Sequence, residues 1–263
     1  AEFFQIERDS PFGDVLRYRE PERYPFLKRV LTRATGIVVH SETTASLIAG
    51  TGFAGSLRVI PHLTYPEMSV GLDAAVRLAV RKALGVREAE TLIGCFGFIG
   101  PPKRFPVLFE VLARLKADLP FKLLIVGEGE DIDGDIAAHG LGDRIIRPGF
   151  VDDDKFRLLL KSIDVLVNLR FPSMGEASGP LSQAMAGGIP AIVSDHAWFA
   201  ELPDEAVRKV PIGAEEAAAL EAALRDLCLG FDRRAAVAAA ARGYCESACA
   251  PELVAEHYID FIA

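Results

Sequence analysis

The sequence has few cysteines, and none of them has the spacing that a metal or redox motif requires. The 263 residues include four cysteines and no Cys-x-x-Cys pair. This pattern predicts reduced structural thiols and suits a cytoplasmic protein. The five histidines lack zinc-site spacing, and no Gly-x-Ser-x-Gly sequence occurs. We therefore expect neither a metal site nor a serine hydrolase.

Long apolar runs and an excess of basic residues are also lacking. No run approaches the roughly 20 apolar residues that span a bilayer, so we expect no transmembrane segment. The formal net charge of −8 argues against nucleic acid as a partner. The chain starts at Ala1 without an initiator methionine or a secretory signal pattern, and we expect a fragment or a processed product.

From about residue 90, short apolar stretches alternate with amphipathic helical patterns. The predicted strands are Leu92–Gly97, Lys122–Gly127, Arg144–Arg147, Asp164–Leu169, Pro190–Ser194 and Val207–Val210. The predicted helices between them are Phe105–Lys116, Ile132–His139, Asp154–Ser162 and Leu181–Ala186. Apolar strands separated by helices are typical of a parallel sheet covered on both faces. We predict an α/β, Rossmann-like fold with its ligand site beyond the carboxyl ends of the strands.

The two ends of the chain follow other patterns. Thr35–His40 and Leu57–Ile60 are predicted strands, and Ser41 is a predicted cap for the helix between them. Two strands make an incomplete sheet, so we interpret residues 1–66 as the remnant of a preceding domain and residues 67–263 as the main domain, with the boundary within residues 61–75. The alternative is that these strands extend the main sheet. Residues 214–263 predict two or three helices.

The most informative stretch runs from Phe171 to Pro180 and opens a helix. Pro180 suits a first helical turn, and Ser178 or Gly179 suits the cap. Free amides at a helix start, here those of residues 178–181, form an anion site. Small residues let a ligand approach the backbone, and they are Gly175, Ala177, Ser178 and Gly179. With Glu176 at the rim, the stretch predicts a site for a phosphate-bearing ligand with nearby hydroxyls.

A basic pair, Lys103 and Arg104, follows the first main strand after two prolines. A cation about 4 Å from a phosphate gains roughly 4 kcal/mol at an effective dielectric of about 20. A helix start typically gives about 0.3–1 kcal/mol. The pair would therefore dominate diphosphate binding, with the helix amides, including that of Leu181, fixing its geometry. The alternative is that both residues are solvated surface charges.

Two further loops follow predicted strands. Gly127 and Glu128 either shape a base or ribose pocket or form a simple acidic turn. Phe150, next to Val151, either stacks on a base or is a core aromatic.

Taken in order, these pieces resemble the nucleotide-sugar-binding half of GT-B-fold glycosyltransferases, of the retaining glycosyltransferase family 4 type. The set includes strand-Gly-x5-Lys, Leu-Leu-Ile-Val-Gly-Glu-Gly, Arg-Pro-Gly-Phe-Val and Gln-Ala-Met-Ala-Gly-Gly-Ile-Pro. The resemblance covers about residues 57–212, and residues 1–60 resemble the end of the family's acceptor-side domain. It implies transfer of a sugar from a nucleoside diphosphate sugar with retention of configuration and no tightly bound cofactor.

The resemblance also implies roles for individual residues. Lys103 matches the lysine that neutralises the diphosphate, and Glu176 matches the glutamate that binds donor-sugar hydroxyls and is the candidate catalytic residue. The segment 177–181 matches the loop whose amides hold phosphate and sugar. Gln183 stands where a second glutamate usually binds the ribose, one residue closer to Glu176 than usual. Phe98 stands where an arginine often contacts the diphosphate, and Arg104 or Arg170 would compensate.

Competing functions stay open at this point. The departures from the family pattern favour a non-catalytic nucleotide-binding or protein-interaction module as the alternative, and a nucleotide-sugar epimerase ranks last. If the transferase assignment holds, the chain alone is expected to be inactive, because one wall of the cleft is missing. The acceptor would be a glycan, a lipid or a small molecule, and the missing domain would carry any peripheral membrane contact. Base and sugar are not specified by the sequence.

Overall fold

The computed structural model describes residues 28–173 and 175–263, and the part of the predicted remnant before residue 28 lies outside the described residues. Within them, the strands form one two-stranded and one six-stranded sheet. The strands are β1 (Gly36–Val39), β2 (Ser56–Val59), β3 (Thr91–Phe96), β4 (Phe121–Val126), β5 (Ile145–Gly149), β6 (Val165–Asn168), β7 (Ala191–Ser194) and β8 (Arg208–Val210).

The larger sheet is parallel throughout and has the strand order β5-β4-β3-β6-β7-β8. All six residues of the central strand β3 are buried, which explains why its sequence after Thr91 is continuously apolar rather than alternating. The predicted α/β fold with a parallel sheet is confirmed. The third predicted strand begins at Ile145 rather than Arg144 and continues to Gly149.

Helices cover both faces of this sheet. The helices of the described residues, including those beside the small sheet, are α1 (Lys28–Leu31), α2 (Glu42–Gly50), α3 (Pro66–Ser69), α4 (Ala74–Ala83), α5 (Phe105–Leu115), α6 (Asp133–Ala138), α7 (Asp153–Ser162), α8 (Gly179–Ala186), α9 (Glu216–Leu229), α10 (Phe231–Ala248) and α11 (Pro251–Ile262). Alternate residues of β3 enter two separate apolar clusters: Ile93 and Cys95 pack with α5 and α9, whereas Leu92 and Phe96 pack with α7, α8 and α10. The described part of the chain contains no helix with both the length and the apolar character needed to cross a bilayer.

The strand order reverses between β3 and β6. The chain proceeds from β3 outward through β4 to β5, and from β6 outward in the other direction through β7 to β8. The loops that leave β3 and β6 therefore start side by side at the carboxyl edge of the sheet. Such a switch point is where parallel sheets open a crevice for a ligand.

The strands β1 and β2 pair with each other in parallel and form their own sheet. The alternative interpretation, that they extend the main sheet, is therefore wrong. The last of three C-terminal helices, α11, returns to this small sheet, where Phe261 packs against Gly36.

Two chain segments connect the small sheet to the large one, and they are hydrogen-bonded to each other. The first runs from Ile60 to Tyr65 and the second through Cys249 and Ala250. The amide and the hydroxyl of Thr64 both donate to the carbonyl of Cys249, at 3.0 and 3.2 Å.

Candidate functional site at the strand-order switch

A short 3₁₀ helix, Pro101–Lys103, lies at the end of the loop that connects β3 to α5. The two prolines fix φ, and the amide of Lys103 closes the turn on the carbonyl of Gly100 at 3.0 Å. The amide of Phe171, in the loop after β6, donates to the carbonyl of Pro102 at 2.9 Å. The two switch-point loops are therefore held together by a backbone hydrogen bond.

The side chain of Lys103 is buried at the carboxyl end of β3. Its Nζ donates to the carbonyl of Phe96 and, at 3.3 Å, to Oδ1 of Asn168. A Cβ placed on Gly97 would lie 3.6 Å from this Nζ and 3.8 Å from Cγ of Pro180. The ammonium and the start of α8 therefore lie close together, on either side of Gly97.

Asn168 connects the lysine to the cap of α8. Its Nδ2 donates to Oγ of Ser178 at 3.0 Å, and this Oγ accepts the amide of Leu181 at 3.4 Å. Ser178 is thus the N-cap, and α8 begins two residues before the predicted Leu181. Sequence reasoning missed Asn168, although a polar residue that ends an apolar strand at the carboxyl edge is a usable signal.

Burial and the nearby charge of Arg170 lower the pKa of Lys103 to about 8, against a small opposing effect of Cys95. Arg170 follows β6, and its Nε is buried without a hydrogen-bond partner among the described residues. This Nε lies 3.8 Å from a carboxylate oxygen of Glu176. Two mutually repelling cations that lie close together make a site that an anionic ligand would stabilise.

Glu176 lies at the rim, with 42% of its side chain exposed. Its carboxylate accepts a hydrogen bond from the hydroxyl of Ser173 at 2.9 Å. Around it, Ala177, Gly179 and Pro180 are partly buried, whereas Gly175 is buried. Gly175 has φ of 89°, and a Cβ there would lie 2.6 Å from Oγ1 of Thr44. The space predicted to admit a ligand at Gly175 is therefore filled by a side chain of α2.

Arg104 has an internal partner that the sequence did not reveal. Its Nε donates to Glu216 Oε1 at 3.0 Å, and its Nη2 donates to Glu216 Oε2. Glu216 is buried at the start of α9. Because this bidentate pair already neutralises the guanidinium, the diphosphate role predicted for Arg104 has less support than that for Lys103.

The loop after β4 packs directly against the loop after β3. Gly127 has φ of 138°, and a Cβ there would lie 2.2 Å from the carbonyl oxygen of Gly97. The amide of Ile99 donates to the carbonyl of Glu128 at 2.8 Å. Gly127 is therefore required by close backbone approach. The side chain of Glu128 is exposed, as either alternative for this loop allows.

The loop after β5 presents an exposed aromatic ring. Phe150 is 75% exposed, which excludes its interpretation as a core aromatic. Val151 is partly buried and packs against the cluster that contains α7 and α8. The predicted stacking of a base on Phe150 stays a prediction.

Gln183 is buried on α8 and borders a cavity of about 440 Å³. Its Oε1 accepts the amide of Tyr65 at 2.9 Å, while its Nε2 is buried without a hydrogen-bond partner in the described part of the chain. The wall of the cavity also includes Pro180 and, from α7, Phe156. Its volume is within the usual range for small-molecule sites.

No group of three or more metal-ligating side chains occurs among residues 28–173 and 175–263. The four cysteines are free thiols.

Comparisons with solved structures place this architecture among known folds. Sucrose-phosphate synthase from Thermosynechococcus elongatus superposes with a TM-score of 0.78 at 21% identity, over 98% of this chain and 64% of that protein. HepE from Anabaena, solved in complex with UDP-glucose, superposes with a TM-score of 0.79 at 18% identity, over 92% of this chain and 69% of HepE. At these identities the likeness concerns the fold, and it confirms the predicted GT-B-type α/β architecture.

Comparisons of sequence are consistent with this result. The 2-deoxystreptamine glucosyltransferase of Streptomyces kanamyceticus is 29% identical over 189 residues, which are 69% of this chain and 48% of that enzyme. The chain thus spans about half the length of this relative. The profile of the family described as glycosyl transferases group 1 matches residues 76–244, more than half of the chain. The chain therefore belongs to the glycosyl transferases group 1 family.

Proposed function

We propose that the chain is the donor-binding part of a glycosyltransferase and holds a nucleoside diphosphate sugar at the strand-order switch. The observation that carries this proposal is the proximity of a buried ammonium, a guanidinium and a helix start at the carboxyl edge of the large sheet. Lys103 and the first turn of α8 meet at Gly97, and Arg170 is close enough to lower the lysine pKa.

In this proposal the diphosphate lies between Lys103, Arg170 and the first turn of α8. Two cations and a helix start complement its charge. The amide of Gly179 is the candidate backbone donor. The amide of Leu181 already donates to Ser178, so Leu181 would act by fixing the cap. Arg104 would support the site through its fixed position at the start of α5 rather than through a direct ion pair.

The cavity bordered by Pro180 and Gln183 is our candidate for the nucleoside. Tyr65, Phe156 and Pro180 in its wall suit a base or the carbon face of a ribose, and the unpartnered Nε2 of Gln183 is a donor for a hydroxyl. The wall also contains charged residues, namely Glu67, Asp153 and Arg157. The loops that carry Gly127, Glu128, Phe150 and Val151 would border the base. Glu176, at the rim, would accept hydrogen bonds from the donor sugar, together with the backbone around Ala177.

The proposed reaction is transfer of the sugar with retention of configuration, as in the glycosyltransferase family 4 type. Negative charge develops on the diphosphate as the glycosidic bond breaks. Fixed cations stabilise that charge more in the transition state than in the ground state. The relatives include a glucosyltransferase and a protein solved with UDP-glucose, which makes UDP-glucose the first donor to test. The acceptor would bind outside the nucleotide-binding sheet.

Isothermal titration with UDP, GDP and ADP tests the donor site. We expect at least one nucleotide to bind, and Lys103→Ala to weaken binding by about 2–3 kcal/mol, roughly 30- to 150-fold, because a charge-assisted contact is lost. Lys116→Ala is the matched control, because this exposed lysine bonds to the carbonyl of His139 away from the switch point. A chain that binds none of the nucleotides, or a Lys103→Ala variant that binds equally well, would contradict the proposal.

A further inference from the structure

The loop that carries Glu176 is held by two hydroxyl groups from outside the nucleotide-binding sheet. The hydroxyls of Ser41 and Thr44 both donate to the carbonyl oxygen of Gly175, at 2.6 and 3.0 Å. Ser41 is fully buried and is also the N-cap of α2. We name this arrangement, Ser41 and Thr44 on Gly175, the hydroxyl clamp.

The clamp allows little variation in the loop. Gly175 is in the left-handed region, at φ of 89°, and Oγ1 of Thr44 lies 2.6 Å from the point where a Cβ would stand. A side chain at this position would have to displace α2. The carbonyl that is held belongs to the peptide bond that leads directly into Glu176, so the clamp fixes the backbone from which that carboxylate projects.

The start of α2 is itself hydrogen-bonded to Glu201, a residue that follows β7 of the large sheet. Glu201 accepts the amides of Glu42 and Thr43 at 2.9 and 2.8 Å, and it accepts the hydroxyl of Thr43 at 2.6 Å. A carboxylate at this helix start also complements the helix dipole. The clamp is therefore a fixed structure and not a contact between two loose loops.

We propose that Ser41 and Thr44 are positioning residues for Glu176, through which the small-sheet segment controls how the donor sugar is bound. This inference rests on the proposed function. The clamp touches neither Lys103 nor the cap of α8, so nucleotide affinity and sugar recognition are separable. Loss of the clamp would leave the diphosphate contacts in place and would release the carboxylate that binds sugar hydroxyls. Small displacements of such a group are costly, up to about 100-fold per ångström in rate.

The test compares the affinity for UDP-glucose with that for UDP in the 263-residue chain. Thr44→Val removes one hydroxyl at nearly constant volume and retains the Ser41 cap. We expect its UDP affinity to stay within twofold of wild type, while the extra affinity that the glucose moiety provides falls about tenfold or disappears. Thr44→Ser, which retains a hydroxyl, should keep the extra affinity that the glucose moiety provides. Adding Ser41→Ala should not strengthen sugar binding.

Thr51→Val is the matched control, because this threonine is at the other end of α2 and its hydroxyl bonds to the carbonyl of Ile48 at 2.6 Å. If Thr44→Val keeps the wild-type preference for UDP-glucose over UDP, the clamp proposal is wrong and the proposed function stands. If the wild-type chain binds neither ligand, the proposed function is wrong and the clamp proposal falls with it. Equal loss in Thr51→Val and Thr44→Val would also overturn the clamp, because it would show a general effect of α2.

Discussion

Lys103 is a buried cation whose charge depends on pH near neutrality. Its pKa of about 8 follows mainly from burial, with Arg170 adding repulsion. The cationic form is therefore present below pH 8 and is lost as the pH rises through 8. A bound diphosphate favours the charged form and would raise this pKa again.

We therefore expect UDP to bind more weakly at high pH. Between pH 7 and pH 9 the dissociation constant should increase about tenfold, with a proton taken up on binding above pH 8. Titration calorimetry in buffers of different ionisation enthalpy measures both quantities. In Lys103→Ala the increase should vanish. If the dissociation constant of the wild-type protein for UDP does not change with pH, Lys103 does not bind the diphosphate.

Arg104 differs from its neighbour because its charge has a protein partner. Arg104→Ala would leave the buried carboxylate of Glu216 without its ion pair, and we expect the free energy of unfolding to fall by about 3 kcal/mol. Denaturation in urea measures this change. The control is Arg225→Ala, because its partners Asp118 and Glu221 are 64% and 26% exposed, against 2% for Glu216, so that its loss should change stability little. If Arg104→Ala keeps full stability but loses UDP affinity, the arginine serves the ligand and not the fold.

Lys103 and Arg104 show how much of the site could be predicted from the sequence at the scale of single residues. The pattern of strand, glycine, two prolines and two cations was enough to predict a lysine at the carboxyl edge. It could not predict which of the two cations has a carboxylate partner within the protein, because Glu216, the partner of Arg104, is 112 positions away in the sequence. The pKa of Lys103 likewise depends on Arg170, which another loop brings close.

At the scale of elements, α8 depends on a single buried hydroxyl. Ser178 caps the helix and also accepts from Asn168. We expect Ser178→Ala to lower the free energy of unfolding by about 2 kcal/mol, because it removes a cap and leaves a buried amide donor unpaired. Ser162→Ala is the control, since that buried serine bonds to the carbonyl of Leu158 within α7. If the two substitutions lower the free energy of unfolding equally in urea denaturation, the hydrogen bonds of Ser178 with Asn168 and Leu181 have no special weight.

Most elements could be predicted because buried parallel strands are short apolar runs between helices. β3, β4, β6 and β7 were recognisable for this reason, and their order along the chain placed the site at one edge. β1 and β2 were predicted as an incomplete sheet of their own, but the alternative that they extend the main sheet could not be excluded, because their local pattern is that of main-sheet strands and only their partners differ. The hydroxyl clamp could not be predicted either, since its hydrogen bonds join residues more than 130 positions apart.

For the whole molecule, we expect nucleotide binding without sugar transfer. The groups that we propose to bind the donor belong to the large sheet and its loops, and this chain spans about half the length of its glucosyltransferase relative. Incubation with UDP-glucose and candidate acceptors should therefore give no glycosylated product, while titration detects UDP. Measurable turnover by the 263-residue chain would show that it carries a complete active site. In a longer form that is active, the anomeric configuration of the product, read by proton NMR, tests retention.

The paired crossings at Thr64 and Cys249 determine how the small and large sheets can move against each other. The two chain segments that connect the sheets are joined to each other by hydrogen bonds, so they restrain the sheets as a single connection. Sliding or twisting of one sheet against the other would have to break the hydrogen bonds between Thr64 and Cys249. A movement of α2 away from Gly175 would also have to break the hydrogen bonds of Glu42 and Thr43 to Glu201, so a donor sugar that arrives while these bonds are intact meets a Glu176 loop that is already in place.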